Sequence, residues 1–365
     1  MVRPDLDLDG TLVGEGTRSY VIAEIGHNHQ GNVETCKRLF DAAKAAGANA
    51  VKLQKRNNVS LFTKAMYDGV YSSENAFGDT YGSHREFLEL HDAHYREVQA
   101  YAKSIGITFF ATAFDIPSAD FLENLNVPFY KLASGDLRSL PLLKHVAAFG
   151  KPLILSTGGG TMDDVQRAYD AVMPINRKLA ILQCTAAYPP EFSELNLRVI
   201  ETYRAAFPDI VIGFSSHDSG IAMPLIAHML GSRIVEKHFT LNRTMKGSDH
   251  AFSLEPTGMR KLVRDLDRTF TALGDGVKRQ YPSESKPLQK MAKKLVASRD
   301  LPAGAVIGAE DIAMKSPNDG LSPEFFDELV GRVTTSAIGA EQNLTFDNTS
   351  LPENAAMSTR AMASD

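Results

Sequence analysis

The sequence predicts an α/β protein: a (β/α)8 TIM barrel followed by a small C-terminal domain. Eight apolar segments of strand length alternate with helical patterns, and polar side chains recur where those segments end. The strand segments are at about 19–26, 48–54, 107–114, 128–134, 152–157, 179–185, 210–216 and 233–240. Eight strand-helix units in roughly 260 residues are typical of this barrel. A doubly wound parallel sheet is the alternative, but no Gly-rich dinucleotide turn follows the first strand.

Helices are predicted wherever apolar residues repeat with a period of about 3.6. These segments are 33–46, 94–104, 117–125, 140–148, 162–172, 197–206, 221–230 and 257–273. Ahead of the first strand, Asp7-Leu8-Asp9-Gly10-Thr11 imitates the aspartyl nucleophile motif of haloacid dehalogenase-type phosphatases. That motif needs a buried strand just before it, and residues 1–5 are too few and too polar to form one. We therefore expect a hairpin that closes the bottom of the barrel.

Two histidines and an acid follow consecutive strands late in the barrel. His217 ends the seventh strand, His238 ends the eighth, and Asp249 lies in the polar loop that comes next. Neutral imidazoles with carboxylates suit a divalent cation such as Mn²⁺, Mg²⁺, Co²⁺ or Zn²⁺, and a cation with open positions can polarise a carbonyl. A lone strand-end histidine more often completes a local hydrogen-bond network. The metal interpretation therefore depends on polar groups at the other strand ends.

Such groups follow the other strands as well, and catalytic groups of this barrel gather at the carboxyl ends of its strands. In chain order they are Glu24, Lys52, Gln54, Thr112, Lys131, Ser134, Asp136, Ser156, Tyr188 and Ser215. Ammonium and hydroxyl groups among them suit phosphate and carboxylate oxygens. We infer an anionic phosphorylated acid that faces a metal-activated aldehyde. Neither Gly-x-Ser-x-Gly nor a Cys/His nucleophile signature competes with this interpretation.

A series of motifs between about residue 18 and residue 350 matches those of a known enzyme family in the same order. They are Ile22-Ala23-Glu24-Ile25-Gly26, Asn28-His29-x-Gly31, Val51-Lys52-x-Gln54, Tyr130-Lys131-x-x-Ser134-Gly135-Asp136, Leu155-Ser156-Thr157-Gly158, Gln183-Cys184-Thr185, Tyr188-Pro189, Gly213-x-Ser215-x-His217, Glu236-Lys237-His238 and Gly247-Ser248-Asp249-His250. The chain resembles the sialic acid synthases, which condense phosphoenolpyruvate with an N-acylmannosamine or a related sugar aldehyde. Thr80-Tyr81-Gly82-x-His84 and Asp136 resemble the animal-type branch, which includes enzymes that accept the 6-phosphorylated sugar.

The resemblance implies a role for each matching residue. His217 and His238 match the ligands of a divalent metal, with Mn²⁺ expected first and Mg²⁺ or Co²⁺ as alternatives. The residues that match the phosphoenolpyruvate site are Lys52, Lys131, Ser134, Ser156 and Ser215. The residues that match the reacting centre and the sugar site are Glu24, Gln54, Asp136, Tyr188 and Asp249. In the implied reaction C3 of phosphoenolpyruvate attacks the aldehyde, water adds at C2, and phosphate leaves by C–O cleavage.

Three classes of function stay open at this point. The first is the synthase, with N-acetylmannosamine, its 6-phosphate, mannose or another amino sugar as the acceptor. A different barrel lyase or aldolase that uses the same metal and phosphate groups is the second. A noncatalytic carbohydrate-binding relative is the third, and the intact set of polar strand ends disfavours it.

The composition changes beyond residue 275, which indicates a second domain. We expect a first domain at 1–280, a polar linker at 281–293, a domain at 294–352 and a disordered tail at 353–365. The domain at 294–352 resembles the antifreeze-like (SAF) domain of the same family, which reaches over the barrel mouth of the partner subunit. The resemblance thus implies a domain-swapped homodimer.

Two departures from the family pattern concern the substrates. Ser316 stands where the family usually has an Arg that helps to recognise the N-acyl group, and Lys315 is the nearest cation. Ala186 stands where many bacterial members have an Asn near phosphoenolpyruvate. The identity of the sugar is therefore left open.

Composition indicates a cytoplasmic protein without a nucleic-acid or membrane partner. The net charge of −5 provides no basic field, and no apolar run approaches membrane length. The N-terminus lacks a signal-like apolar segment. Cys36 and Cys184 agree with a reducing compartment and give no disulfide scaffold.

Overall fold

The computed structural model describes residues 4–352, and the chain divides into two compact units. The first unit ends at Gly274 and the second begins at Asp275. In the first unit eight parallel strands close into a barrel in chain order, so that the last strand pairs with the first. The (β/α)8 fold predicted from the sequence is therefore confirmed.

A short antiparallel hairpin precedes the barrel. Its strands are β1 (Leu6–Leu8) and β2 (Thr11–Val13). The Asp9 carboxylate accepts a hydrogen bond of 2.8 Å from Thr108, the first residue of a barrel strand. The segment that imitates a phosphatase motif thus forms a hairpin at the amino end of the strands, as the sequence predicts.

The barrel strands follow the predicted segments closely. They are β3 (Tyr20–Gly26), β4 (Ala50–Lys55), β5 (Thr108–Ala113), β6 (Tyr130–Leu132), β7 (Leu153–Ser156), β8 (Leu179–Cys184), β9 (Val211–Ser216) and β10 (Ile234–His238). Inside the barrel, the ring of Phe129 contacts those of Tyr20 and Phe110, with centroids at 6.3 and 4.3 Å. Since side chains alternate along a strand, Glu24 points to the same face of β3 as Tyr20, and Thr112 to the same face of β5 as Phe110. Both polar residues lie nearer the carboxyl ends of their strands. The interior of the barrel is thus apolar toward the amino ends of the strands and polar at their carboxyl ends.

The helices cover the outside of the strands and occupy the loop after β4. They are α1 (Val33–Ala45), α2 (Asn58–Leu61), α3 (Lys64–Tyr67), α4 (Tyr81–Leu88), α5 (Asp92–Ile105), α6 (Ile116–Asn124), α7 (Leu140–Ala147), α8 (Met162–Val172), α9 (Val199–Ala206), α10 (Ala222–Met229) and α11 (Pro256–Leu273). Side chains of Asn32, Asp115 and Thr161 accept hydrogen bonds from first-turn backbone N–H groups and so begin α1, α6 and α8.

The second unit contains short elements around its own apolar core. They are α12 (Ser285–Met291), β11 (Lys294–Ala297), β12 (Ile312–Lys315), α13 (Phe326–Leu329), β13 (Val333–Thr334) and β14 (Thr349–Ser350). The strands form two antiparallel pairs, β11 with β12 and β13 with β14. The segment expected to be a linker, 281–293, includes α12. The tail expected at 353–365 lies outside the described residues.

Among residues 4–352, no helix combines the length and the hydropathy that crossing a membrane requires.

Candidate active site

A cavity of about 600 Å³ opens among the carboxyl ends of the barrel strands. Its size is typical of pockets that bind small molecules. The predicted site residues that line it are Glu24, Lys52, Gln54, Lys131, Ser134, Ser156, Tyr188, Ser215, His217, His238 and Asp249. The structure therefore brings together all of the predicted site residues except Asp136.

The floor of the cavity holds two buried lysines and two buried glutamates. Lys52 Nζ lies 2.7 Å from Glu24 Oε2 and donates to Thr112 Oγ1 at 2.7 Å. Glu236 Oε1 lies 3.7 Å from Lys52 Nζ and 3.9 Å from Lys131 Nζ. Burial raises the pKa of Glu24, whereas for Glu236 the opposing effects of Lys131 and Lys52 outweigh burial and lower the pKa. Glu236 is therefore the anion that holds the two ammonium groups together.

Sequence reasoning did not assign Glu236 to the site. The signal was available, because Glu236 lies two residues before His238 on an extended strand and so shares its face. Its Oε1 accepts a hydrogen bond of 3.2 Å from Ser215 Oγ, which belongs to the paired residue on β9. Its Oε2 is buried without a hydrogen-bond partner.

One serine hydroxyl contacts the second lysine, and another lies in the turn that follows its strand. Lys131 Nζ donates to Ser156 Oγ at 2.7 Å, and burial lowers the pKa of Lys131. Ser134 Oγ accepts a hydrogen bond of 2.9 Å from the backbone N–H of Gly158. A Cβ at Gly158 would lie 2.9 Å from Ser134 Oγ, so this close approach requires glycine.

Three predicted polar side chains converge at the end of β3. The pairing of β3 with β4 shifts between Glu24 and Gly26, and Gly26 has a φ of 52°. A Cβ at Gly26 would lie 3.1 Å from Gln54 Nε2, 3.3 Å from Glu24 Oε1 and 3.7 Å from Asp249 Oδ2. Gln54 Nε2 donates to Glu24 Oε1 at 2.6 Å. Acceptors and donors from strands β3 and β4 and the loop after β10 therefore meet in one corner of the cavity.

The two histidines lie side by side, with ring centroids 5.3 Å apart. His217 Nδ1 lies 2.9 Å from the Thr185 carbonyl oxygen, which can only accept, so Nδ1 carries the proton and the Nε2 lone pair is free. Burial lowers the pKa of His217 to about 3 and that of His238 to about 4, which leaves both rings neutral near pH 7. The Tyr188 ring lies against His217 at a centroid distance of 4.1 Å and is 56% exposed.

A buried ion pair fixes the strand ends that carry these histidines. Lys237 Nζ lies 3.1 Å from Asp218 Oδ1 and donates to Ser216 Oγ at 3.3 Å. These residues alternate with His217 and His238 in the sequence and face away from the cavity. The pair thereby ties the end of β9 to the end of β10.

The donor set fits a divalent metal with two protein ligands. His238 Nδ1 is buried without a hydrogen-bond partner, 3.8 Å from Asp249 Oδ2. Within residues 4–352, no three His, Cys, Asp or Glu side chains are placed to hold one ion together. An ion held by His217 and His238 would therefore keep positions for substrate oxygens and water.

Asp136 lies in a 3₁₀ turn, Ser134–Asp136, beside the cavity rather than on its lining. Its Oδ2 is buried without a hydrogen-bond partner. Burial raises the pKa of Asp136 to about 6, although Arg56 and Lys131 act in the opposite direction. Asp136 is thus a poorly solvated acid next to the site.

Two arginines that the sequence reasoning did not assign also line the cavity. Arg56 follows β4 directly, and Arg85 belongs to α4 in the long loop after that strand. Arg56 could have been found by its alternation with Lys52 and Gln54. Arg85 has no comparable local signal, because only the folding of the loop brings it to the cavity.

Comparison with known proteins gives matches over both units. The NeuB family model matches residues 39–278, and the SAF domain model matches residues 294–348. The chain is 40% identical over 324 residues to the N-acetylneuraminate-9-phosphate synthase of Homo sapiens, which covers 88% of this chain and 90% of the relative. It is 37% identical over 348 residues to the protein of the same name from Drosophila melanogaster. That match covers 88% of this chain and 94% of the relative.

A solved structure gives a similar result. The N-acetylneuraminic acid (sialic acid) synthetase from Leptospira borgpetersenii serovar Hardjo-bovis, in complex with citrate, matches with a TM-score of 0.68 and 29% identity. The match covers 78% of this chain and 95% of that structure.

Proposed function

The chain belongs to the NeuB family, and from that premise we propose that it is a nonulosonate synthase that condenses phosphoenolpyruvate with a mannosamine-type sugar aldehyde. The acceptor is N-acetylmannosamine or its 6-phosphate, with mannose or its 6-phosphate as the alternative. Phosphate is the second product. Relatives named for sialic and legionaminic acids support this class of reaction.

One observation carries the proposal: a pair of buried lysines and a pair of neutral histidines share a single cavity. Glu236 joins the two pairs, since its Oε1 lies within 3.9 Å of both ammonium groups and His238 follows two residues later on the same face. Cations suit the phosphate and carboxylate of phosphoenolpyruvate. Neutral imidazoles suit a divalent metal. The two reactants would therefore meet between β4 and β10.

Each side of the cavity has a distinct task. Lys52 and Lys131 neutralise phosphoenolpyruvate, and the hydroxyls of Ser134, Ser156 and Ser215 donate hydrogen bonds to its oxygens. His217 and His238 would hold the metal, Mn²⁺ first and Mg²⁺ or Co²⁺ as alternatives, which supplies Lewis-acid polarisation of an aldehyde oxygen. Asp249 and Tyr188 border that position and orient the sugar.

The bond changes balance with water as the third reactant. C3 of phosphoenolpyruvate forms a bond to the aldehyde carbon, whose oxygen takes a proton and becomes a hydroxyl. A water oxygen adds at C2, the C2–O bond to phosphate breaks, and the water oxygen stays as the C2 carbonyl, so that one water proton goes to the new hydroxyl and the other to phosphate. Burial raises the pKa of Glu24, which makes its carboxylate a stronger proton acceptor than an exposed one. We assign to Glu24 the proton of the water that adds at C2, with Gln54 holding the carboxylate in place through its hydrogen bond of 2.6 Å.

The experiment is a phosphate-release assay with phosphoenolpyruvate and the four sugars named above, followed by mass spectrometry of the product. We expect one phosphate per product and a product that contains all carbons of both reactants. Chelation should abolish turnover, and Mn²⁺, Mg²⁺ or Co²⁺ should restore it. A different barrel aldolase would form product without consuming phosphoenolpyruvate irreversibly. Full turnover by a metal-stripped preparation would contradict the role of the metal.

The resemblance also implies a domain-swapped homodimer, which we propose for this chain. The match of residues 294–348 to the SAF domain supports this proposal. In the second unit Ser316 is exposed, and its Oγ donates to the Met291 carbonyl at 3.1 Å. A serine cannot give the two-pronged, charged contact of an arginine. Recognition of the N-acyl group should therefore depend less on this position than in relatives with an arginine.

A further inference from the structure

Two guanidinium groups, those of Arg56 and Arg85, line the cavity in addition to the buried lysines. Arg56 is four residues beyond Lys52 along β4 and the residue that follows it. An extended chain advances about 3.3 Å per residue, so the Cα atoms of the two residues are roughly 13 Å apart. The Arg56 guanidinium contacts Gln54, whereas the Lys52 ammonium contacts Glu24, so the two cations have different neighbours within one pocket.

Arg56 is a charged residue that is only 9% exposed, and three neighbours hold its guanidinium in place. Its guanidinium carbon lies 3.6 Å from the centroid of the Phe114 ring. Nη2 donates to Gln54 Oε1 at 2.7 Å, and Nη1 lies 3.3 Å from His27 Nε2. These direct partners are neutral, and the charges of Glu89 and Asp249 raise the pKa of Arg56 only in part against burial and Arg85.

Arg85 approaches the cavity from α4. Its Nε and Nη2 donate to the Tyr81 hydroxyl at 3.0 and 2.8 Å. Neither Arg56 nor Arg85 forms an ion pair with a carboxylate within the part of the chain that the structure describes. The nearby carboxylate of Glu89 pairs instead with Lys55, at 3.1 Å.

The two arginines also act on each other. Burial and the charge of Arg85 lower the pKa of Arg56 to about 10, so Arg56 stays charged near pH 7. Glu89 and Asp249 offset part of this repulsion without a direct ion pair to either guanidinium, so an anion that binds to both arginines would be stabilised further. A guanidinium presents a planar fork of N–H donors that matches phosphate oxygens.

We propose that Arg56 and Arg85 form a subsite for a phosphate ester on the sugar acceptor, at the end of the sugar away from its aldehyde. This inference rests on the proposed function, because it assumes that the sugar extends from the histidines toward these arginines. Lys52 and Lys131 are already committed to phosphoenolpyruvate. The acceptor is therefore a sugar phosphate rather than a neutral sugar.

A competing explanation is that Arg56 only orients Gln54 and so supports the reaction with any acceptor. Arg85 separates the two explanations, since the hydrogen bonds of its guanidinium go to Tyr81 and not to Gln54. The variants are Arg56→Gln and Arg85→Gln. Arg96→Gln on the exposed face of α5 is the matched control.

The kinetic test compares kcat/KM for N-acetylmannosamine 6-phosphate with kcat/KM for N-acetylmannosamine. In wild type the ratio should favour the phosphorylated sugar. In each site variant it should fall about 10-fold or more, as expected for the loss of one charge-assisted contact to an anion. Arg96→Gln should keep the wild-type ratio.

A binding test requires no turnover. Calorimetry with mannose 6-phosphate and mannose, in the absence of phosphoenolpyruvate, should show tighter binding of the phosphorylated sugar and a loss of about 10-fold or more in Arg85→Gln. If both site variants lower kcat/KM equally for both acceptors, the subsite is wrong while the synthase function stands. If no sugar supports consumption of phosphoenolpyruvate but sugar phosphate binding depends on both arginines, the subsite stands and the synthase function fails.

Discussion

At the residue scale, the proposed recognition of phosphoenolpyruvate can be tested most directly through Lys131. Its ammonium contacts Ser156 Oγ and lies 3.9 Å from Glu236. In Lys131→Met the side chain keeps most of its volume and loses its charge. We expect the KM for phosphoenolpyruvate to rise at least about 10-fold, because one charge-assisted contact contributes roughly 1.5 to 3 kcal/mol.

Lys144→Met is the control for that variant, since Lys144 is exposed on α7. Circular dichroism should show that both variants are folded. The KM for the sugar should change much less than that for phosphoenolpyruvate. Unchanged phosphoenolpyruvate kinetics in folded Lys131→Met would assign Lys131 a structural or sugar-side role.

The raised pKa of Asp136 should make the free energy of unfolding depend on pH. Its pKa is about 6 in the folded protein, above the ordinary value for an unfolded chain, so the carboxyl favours folding only while it is protonated. That contribution is present below pH 4 and is lost as the pH rises through 6. Asp136→Asn should therefore gain stability relative to wild type, by about 1 to 2 kcal/mol between pH 4.5 and pH 7.5.

Thermal melting of both proteins at the two pH values measures this difference. The relevant quantity is the change in the gap between their melting temperatures, since other groups titrate equally in both. A gap that stays constant with pH would show that Asp136 is solvated like an ordinary surface acid.

Much of the site could be predicted at the residue scale because barrel chemistry is encoded locally. Lys52 and Gln54 can be recognised in the sequence because they are charged or polar residues at alternate positions of an apolar strand. Glu236 also occupies an alternate position of an apolar strand, but the sequence prediction named only His238 from that strand. Arg85 could not be found this way, since its place in the cavity depends on how a loop of more than 20 residues folds back.

At the scale of elements, strand and helix positions followed from periodicity, whereas short helices did not. The predicted helix at 162–172 coincides with α8, and 140–148 differs from α7 by one residue. The four-residue helices α2 and α3 depend on capping by Asn57 and Thr63 rather than on an apolar stripe. The expected linker likewise contains the seven-residue α12.

Gly213 in β9 tests how tightly the strands pack. A Cβ there would lie 2.2 Å from Leu182 Cδ2 and 2.8 Å from the Ile234 carbonyl oxygen. Because the second neighbour is backbone, it cannot move away without disturbing the barrel. Gly213→Ala should therefore destabilise the protein by about 1 to 3 kcal/mol.

Gly16→Ala is the matched control, since a Cβ at Gly16 would meet no atom within 4 Å. Thermal melting should give a lower midpoint for Gly213→Ala than for Gly16→Ala. Equal midpoints would mean that β9 and its neighbours can separate slightly at no cost.

At the scale of the whole molecule, the apolar cores of the two units share no residue. The core of the first unit runs from Leu6 to Leu266, and that of the second from Leu295 to Leu344. Each core is contiguous within its own unit, so a chain that ends after residue 280 should fold as a barrel. The role of the second unit in turnover can therefore be separated from its role in folding.

Complementation tests the proposed exchange of domains between subunits. A chain truncated after residue 280 and a full-length His238→Ala chain, carrying different affinity tags, should each be nearly inactive. If the second unit serves the partner's barrel, the purified heterodimer should recover about half of the wild-type activity, because one of its two sites is complete. A heterodimer that forms and stays inactive would show that each C-terminal unit serves its own chain.

The contact of the Tyr188 ring with His217 has a spectroscopic consequence. The chain contains no tryptophan, so Tyr188→Trp would place a sole indole fluorophore against the proposed metal ligand, and excitation beyond the tyrosine absorption band would select its emission. Paramagnetic Mn²⁺ quenches nearby indole emission, whereas diamagnetic Mg²⁺ does not. A titration in a fluorimeter would thus distinguish occupancy by the two cations and report sugar arrival in real time, independently of catalysis.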